Sequence, residues 1–128
     1  MEDECVFCEI IKGNSPSTKV YEDEHVLAFL DINPVARHHT LIVPKKHYAD
    51  LYDIPENELK YLLVVAKRIA LQYKTDYRLH GVNILHASGV DAQQSVTHFH
   101  LHLVPRKQGD GLEHFLLPAC PVGEGESR

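Results

Sequence analysis

Residues 98–102 read His-Phe-His-Leu-His, inside the longer run Ser95 to Val104 (SVTHFHLHLV). A histidine alternates with a bulky apolar residue, and a period of two is that of a strand. The alternation predicts Phe99, Leu101 and Leu103 on a core-facing side, with His98, His100 and His102 on the other. Neighbouring imidazoles on such a strand sit roughly 6–7 Å apart. Imidazole is a poor core residue, so three in a row point to metal ligation or chemistry near neutral pH. Three consecutive same-face positions span about 13 Å, too far for one ion. Residues 92–106 also hold no carboxylate to complete a hydrolytic zinc site. The spacing favours separately acting groups over a catalytic metal held by all three.

Working outward, the strand fits a small α+β protein. Cys5 to Lys12 carries Val6, Phe7, Ile10 and Ile11 at helical spacing, and Gly13-Asn14-Ser15-Pro16 stops it. Thr18 to Tyr21 and Val26 to Leu30 read as a hairpin joined through Glu22-Asp23-Glu24. Thr40 to Val43 is a short apolar strand closed by Pro44. From Pro55 to about Tyr73 the stripe Leu59, Leu62, Leu63, Ala66, Ile69, Ala70 and Tyr73 predicts a long helix packed on a core. Val82 to Leu85 begins a further strand, and residues 87–92 form a loop. The expected fold is a five-stranded antiparallel meander sheet with one long helix and a short N-terminal helix. Residues 1–110 form a single domain in this reading, and the Gly-, Pro- and Glu-rich tail 111–128 is expected to be partly disordered.

Composition narrows the class. The chain has 128 residues, 44% hydrophobic and 24% charged, which suits one ordinary globular domain. No apolar run approaches the roughly 20 residues of a membrane span, so no membrane partner is expected. The start Met1-Glu2-Asp3-Glu4 is acidic where a secretory leader is basic, so the expectation is cytoplasmic. Three cysteines, Cys5, Cys8 and Cys120, do not make a disulfide framework. Cys5 and Cys8 are either a redox pair or half of a metal site. A net charge of −5 argues against nucleic-acid binding. The local cluster Arg37, His38, His39, Lys45, Lys46 and His47 would suit a single phosphate group instead.

A row of imidazoles beside a phosphate is able to support nucleophilic catalysis. One ring nitrogen attacks phosphorus while the other holds its proton in a hydrogen bond to a backbone carbonyl. Flanking histidines then donate to the phosphoryl oxygens and the leaving group.

The stretch Gln94 to Arg106 (QSVTHFHLHLVPR) resembles the signature of the histidine triad (HIT) family. Upstream, Cys5–Ile11 (CVFCEII), Tyr21–Glu24 (YEDE), Ala28–Pro34 (AFLDINP) and His39–His47 (HTLIVPKKH) also match in order, so the likeness covers about residues 5–110. It is closest to the nucleotide-hydrolase branch with an N-terminal C-x-x-C. The resemblance implies that His100 is the nucleophile, forming a nucleotidyl-histidine at the α-phosphate that water hydrolyses. It implies that His102 and His39 support the phosphate and its protons, with Ser95 near the leaving group. Asp31 would contact the ribose, and Phe7, Ile10, Phe29 and Ile32 the base, with Gln94 also at the nucleotide. Cys5, Cys8, His47 and His98 would bind a structural zinc, with no catalytic metal required. The implied substrates are AMP phosphoramidates or related AMP conjugates. The alternatives are dinucleoside polyphosphate hydrolysis, nucleotidyl transfer to another acceptor, or a nucleotide-binding regulatory module with little activity. The resemblance also implies a homodimer. Two positions depart from the family pattern. Ala87 stands where some branches carry asparagine, and His38 where many relatives carry glycine; both bear on leaving-group preference.

Overall fold

The computed structural model describes residues 5–112 and Phe115. Its elements are α1 (Val6–Lys12), β1 (Lys19–Glu22), β2 (Val26–Leu30), β3 (Thr40–Pro44), α2 (Glu56–Tyr77), β4 (Gly81–Leu85) and β5 (Leu101–Arg106). The expected tail lies outside the described residues, apart from Gly111, Leu112 and Phe115, as does Cys120. No helix among the described residues is long and apolar enough to cross a membrane.

The five strands form one antiparallel sheet in the order β1-β2-β3-β5-β4. The meander runs through β1, β2 and β3. The α2 crossover then carries the chain to the far edge, and β5 folds back between β3 and β4.

Each face of the sheet has its own covering helix. On one face Val26, Ala28, Ile42, Phe99, Leu101 and Leu103 pack against Leu62, Val65, Ala66, Ile69 and Tyr73 of α2. Each buried Val, Leu, Ile or Phe among them contributes about 1.5–3 kcal/mol relative to exposure. The other face carries Leu27, Phe29, Leu41 and Val43 against Cys5, Phe7 and Cys8 at the start of α1. Asp23, in the β1–β2 turn, ties this frame to α2. It accepts hydrogen bonds from Tyr21, Tyr61 and the amides of His25 and Val26. Burial alone would raise its pKa, but these donors outweigh it and hold the carboxyl at about 2.

Three details differ from the sequence reading. Helix α2 runs one turn past Tyr73 and ends on Arg78, whose φ of 57° is left-handed and whose amide bonds Tyr73 O. Leu63 is exposed whereas Val65 is buried, because the packed arc is centred on Leu62, Ala66 and Ile69 and Leu63 lies at its flank. The ladder of β5 begins at Leu101 rather than Ser95. The amide of Phe99 bonds Tyr48 O at 2.6 Å and the carbonyl of His98 is taken by a side chain, so this stretch is withdrawn from the sheet. The alternation of faces nevertheless persists, with Phe99 in the α2 core and all three histidines toward α1.

Candidate active site

Strand periodicity brings distant residues to one place. Asp31 follows Phe29 at the end of β2, His39 precedes Leu41 at the start of β3, and His102 is paired with Leu41. All lie on the α1 face. Asp31 N donates to His39 O at 2.9 Å, which continues the β2–β3 pairing one step beyond the strands.

The histidines have different partners. His98 is fully buried, and its Nε2–H donates to Pro44 O at 2.9 Å. Its Nδ1 faces Cys5 Sγ at 3.3 Å and Cys8 Sγ at 3.5 Å. His47 Nδ1 approaches Cys8 Sγ at 3.3 Å. The four donor atoms lie within 4.8 Å of one another, a group able to hold a metal ion. Local sequence explains the thiols: Cys5 is the N-cap of α1, and its sulfur accepts the amide of Cys8 at 3.3 Å. The C-x-x-C spacing thus places both sulfurs at the first turn of a helix, where free amides favour negative charge.

His100 is 4% exposed, and its Nδ1–H donates to His98 O at 2.8 Å. A carbonyl only accepts, so the proton is fixed on Nδ1 and Nε2 keeps its lone pair. A second tautomer chain runs from the backbone. Val35 N donates to His39 Nδ1 at 3.2 Å, which leaves the proton on Nε2. That Nε2–H points to His102 Nδ1 at 3.0 Å, so His102 in turn carries its proton on Nε2. Asp31 Oδ2 lies 3.5 Å from His39 Nε2, while Asp31 Oδ1 accepts the amide of Asn33 at 2.9 Å. Asp31, His39 and His102 are also close enough to share an ion, but only if the proton between the two imidazoles is displaced.

A cavity of about 230 Å³ opens at His100 and His102. Phe7, Ile10, Phe29, Asp31, Ile32 and Ser95 also line it, so most of the expected nucleotide-contacting residues meet there. Phe7 packs edge-on to His100 at 5.1 Å, and Ile32 is 87% exposed. His39 sits behind His102, outside the lining. Gln94 is not brought to the cavity. Its amide bonds Ala49 O and Val96 O while its oxygen accepts Gly89 N, so its polar groups organise the loop before the triad. The cavities along α2 and beside His38 hold no triad histidine.

Burial keeps these imidazoles neutral. It lowers the pKa of His98 and of His102 to about 4, with neighbouring histidines adding to the effect, and it lowers those of His39 and His100. An unfolded imidazole titrates near 6.5, so between about 4 and 6.5 the unfolded chain binds more protons. Stability is therefore full above that window and falls as the pH drops through it. Urea melts in the presence of a chelator should show a lower midpoint at pH 5 than at pH 7. Equal midpoints would refute this protonation scheme.

Comparison with known proteins decides the family. A family model described as the HIT domain matches residues 12–109. The chain belongs to the HIT family. An uncharacterized HIT-like protein of Methanocaldococcus jannaschii is 48% identical over 108 residues, which are 84% of this chain and 82% of that one. The adenosine 5′-monophosphoramidase HNT1 of Saccharomyces cerevisiae is 45% identical over 103 residues, 80% of this chain and 63% of its own. A zinc-bound histidine triad family protein from Mycobacterium smegmatis has a TM-score of 0.84 at 42% identity, covering 89% of this chain and 83% of its own.

Within this HIT chain, the two departures from the family pattern have structural settings. His38 has φ of 64°, in the region that glycine enters freely, and its ring stacks on Tyr77 at 4.0 Å. Ala87 brings no polar side chain to the loop, whereas its neighbour His86 donates from Nδ1 to His100 O at 2.9 Å. His86 was not singled out from the sequence, and neither was the backbone amide of Val35. No periodicity flags a histidine just past a strand end, and a backbone amide leaves no mark on composition.

Proposed function

We propose that this protein hydrolyses AMP phosphoramidates or related AMP conjugates at the α-phosphate, with His100 as the nucleophile. The observation that carries the reading is the hydrogen bond from His100 Nδ1 to His98 O at 2.8 Å, beside the cavity. It leaves Nε2 unprotonated and the ring oriented, as attack on phosphorus requires. Nε2 forms a bond to phosphorus as the P–N bond to the leaving amine breaks, and the amine departs with a proton taken up from solvent water. Water then attacks the nucleotidyl-histidine, returning His100 and releasing AMP. His102 Nε2–H is the donor for a phosphoryl oxygen, its tautomer set through His39 by Val35 N. Ser95 is assigned to the leaving group, and Asp31 to the ribose hydroxyls. Phe7, Ile10, Phe29 and Ile32 supply an apolar slot for the base. The activity named for the yeast relative supports the substrate class. Detection of a nucleotidyl adduct on His100 during turnover tests the reading.

The Cys5, Cys8, His47 and His98 group fits zinc. With Zn–S of about 2.3 Å and Zn–N of about 2.0–2.1 Å, sulfur and nitrogen ligands of a tetrahedral ion lie about 3.5 Å apart. The sulfur–nitrogen distances of 3.3, 3.3 and 3.5 Å match that separation. Bound there, zinc would cross-link α1, the segment after β3 and the triad. Such thiolate ligation agrees with a reducing, cytoplasmic setting.

We also infer a homodimer. Strand β4 is a sheet edge with Val82 and Ile84 exposed, and Leu63, Val64 and Leu71 of α2 are exposed as well. A two-fold pairing would cover such an apolar edge in both copies at once. Light scattering should give about 29 kDa, twice the 14.6 kDa chain. A monomer at micromolar concentration would overturn the inference.

A further inference from the structure

The end of the β4–β5 ladder leaves one carbonyl of the triad in the care of a side chain. The last paired residues are Leu85 and His102, and two further steps of this antiparallel register would set Ala87 opposite His100. Strand β4 has ended by then. In place of a backbone amide, His86 Nδ1–H donates to His100 O at 2.9 Å. The His86 ring is itself held on three sides. It stacks on Phe99 with ring centres 4.3 Å apart. Its Nε2 is bonded to the Ser88 hydroxyl, and Ser88 Oγ accepts the amide of Leu51 at 2.8 Å.

The direction of this chain is fixed at both ends. Leu51 N can only donate and His100 O can only accept. With Nδ1 protonated, neutral His86 offers Nε2 as an acceptor, and Ser88 donates to it. His100 is consequently clamped twice, through its ring to His98 O and through its carbonyl to the ring of His86.

We propose that His86 is a positioning residue for His100, fixing the peptide from which the attacking imidazole projects, with Ser88 orienting His86. This rests on His100 being the nucleophile. Misplacing a reacting group by about 1 Å can cost about 10²-fold in rate, so a partial loss of this clamp should be visible in turnover.

The test compares wild type, H86L, H86N and H100A with an adenosine 5′-monophosphoramidate as substrate. Asparagine can donate to His100 O and accept from Ser88, while leucine keeps only the packing on Phe99. H86L should lower kcat about tenfold with KM within about twofold, and H86N should recover most of the loss. Wild-type kcat in H86L overturns the proposal, and so does H86N as slow as H86L at the same melting temperature. An inactive H100A beside a fully active H86L sinks the role of His86 alone, whereas an active H100A sinks the nucleophile reading and this role with it. Nitrogen-15 NMR of the imidazoles gives a measurement independent of turnover. The Nδ1–H tautomer of His86 is expected, and the Nε2–H tautomer overturns the proposal.

Discussion

Replacing His100 with alanine should reduce hydrolysis of an AMP phosphoramidate by at least about 10⁴-fold, with the fold intact. Removal of a nucleophile from a catalytic set typically costs that much or more, because the remaining donors stabilise a transition state that is no longer reached. In this site the other groups are specialised and offer no substitute. His98 directs Nδ1 at two sulfurs and Nε2 at Pro44 O, so both nitrogens are committed. His102 receives a proton at Nδ1 from His39 and presents Nε2 as a donor, which cannot attack. Only His100 combines a fixed Nδ1–H with a place on the cavity. Mass spectrometry of wild-type protein quenched in mid-turnover should find the nucleotidyl group on the peptide containing His100, and none in the variant. A variant with retained turnover, or an adduct on another residue, would sink the mechanism. A wild-type protein that binds AMP conjugates without turnover or adduct would instead make this a binding module.

The sequence showed much of this architecture because period-two and period-3.6 patterns report burial directly. Phe99, Leu101 and Leu103 alternate with histidine, and the structure puts them against α2 while the imidazoles face α1. Pairing of distant strands is less visible. Nothing in residues 81–85 announces that β4 lies at the sheet edge, because a helical crossover can return the chain to either side of β3. The β5 boundary was also hidden. The extended pattern begins before Leu101, but the backbone hydrogen bonds of residues 98–100 go to Val96, to Tyr48 and to imidazoles. Residue type foretold which groups could act at the site but not their protonation. The tautomers of His39, His100 and His102 follow from Val35 N and His98 O, backbone atoms that every residue possesses. Gln94 illustrates the converse, since a motif position next to the triad uses its whole amide to brace a loop.

Metal analysis of untagged protein should find about one zinc per chain, and Cys5→Ser should lose it, with affinity lowered at least about 100-fold. Changes in groups that merely support metal ligands cost about 10–100-fold, so loss of a thiolate ligand should reach or exceed that range. Serine can still cap α1 by accepting the Cys8 amide, so the substitution removes the ligand while sparing the helix start. Stability should fall with the metal, because zinc binds the assembled site far better than the unfolded chain. The segments it joins lie far apart in the sequence: Cys5 and Cys8 at the start of α1, His47 after β3, and His98 ahead of β5. His98 O in turn holds the ring of His100, so metal-free protein should also lose turnover while keeping its secondary structure. Zinc-free wild type with the same melting temperature as the loaded form would refute the cross-linking role. Full zinc content in the Cys5→Ser variant would remove Cys5 from the ligand set. In both cases the His100 assignment stands or falls on its own adduct.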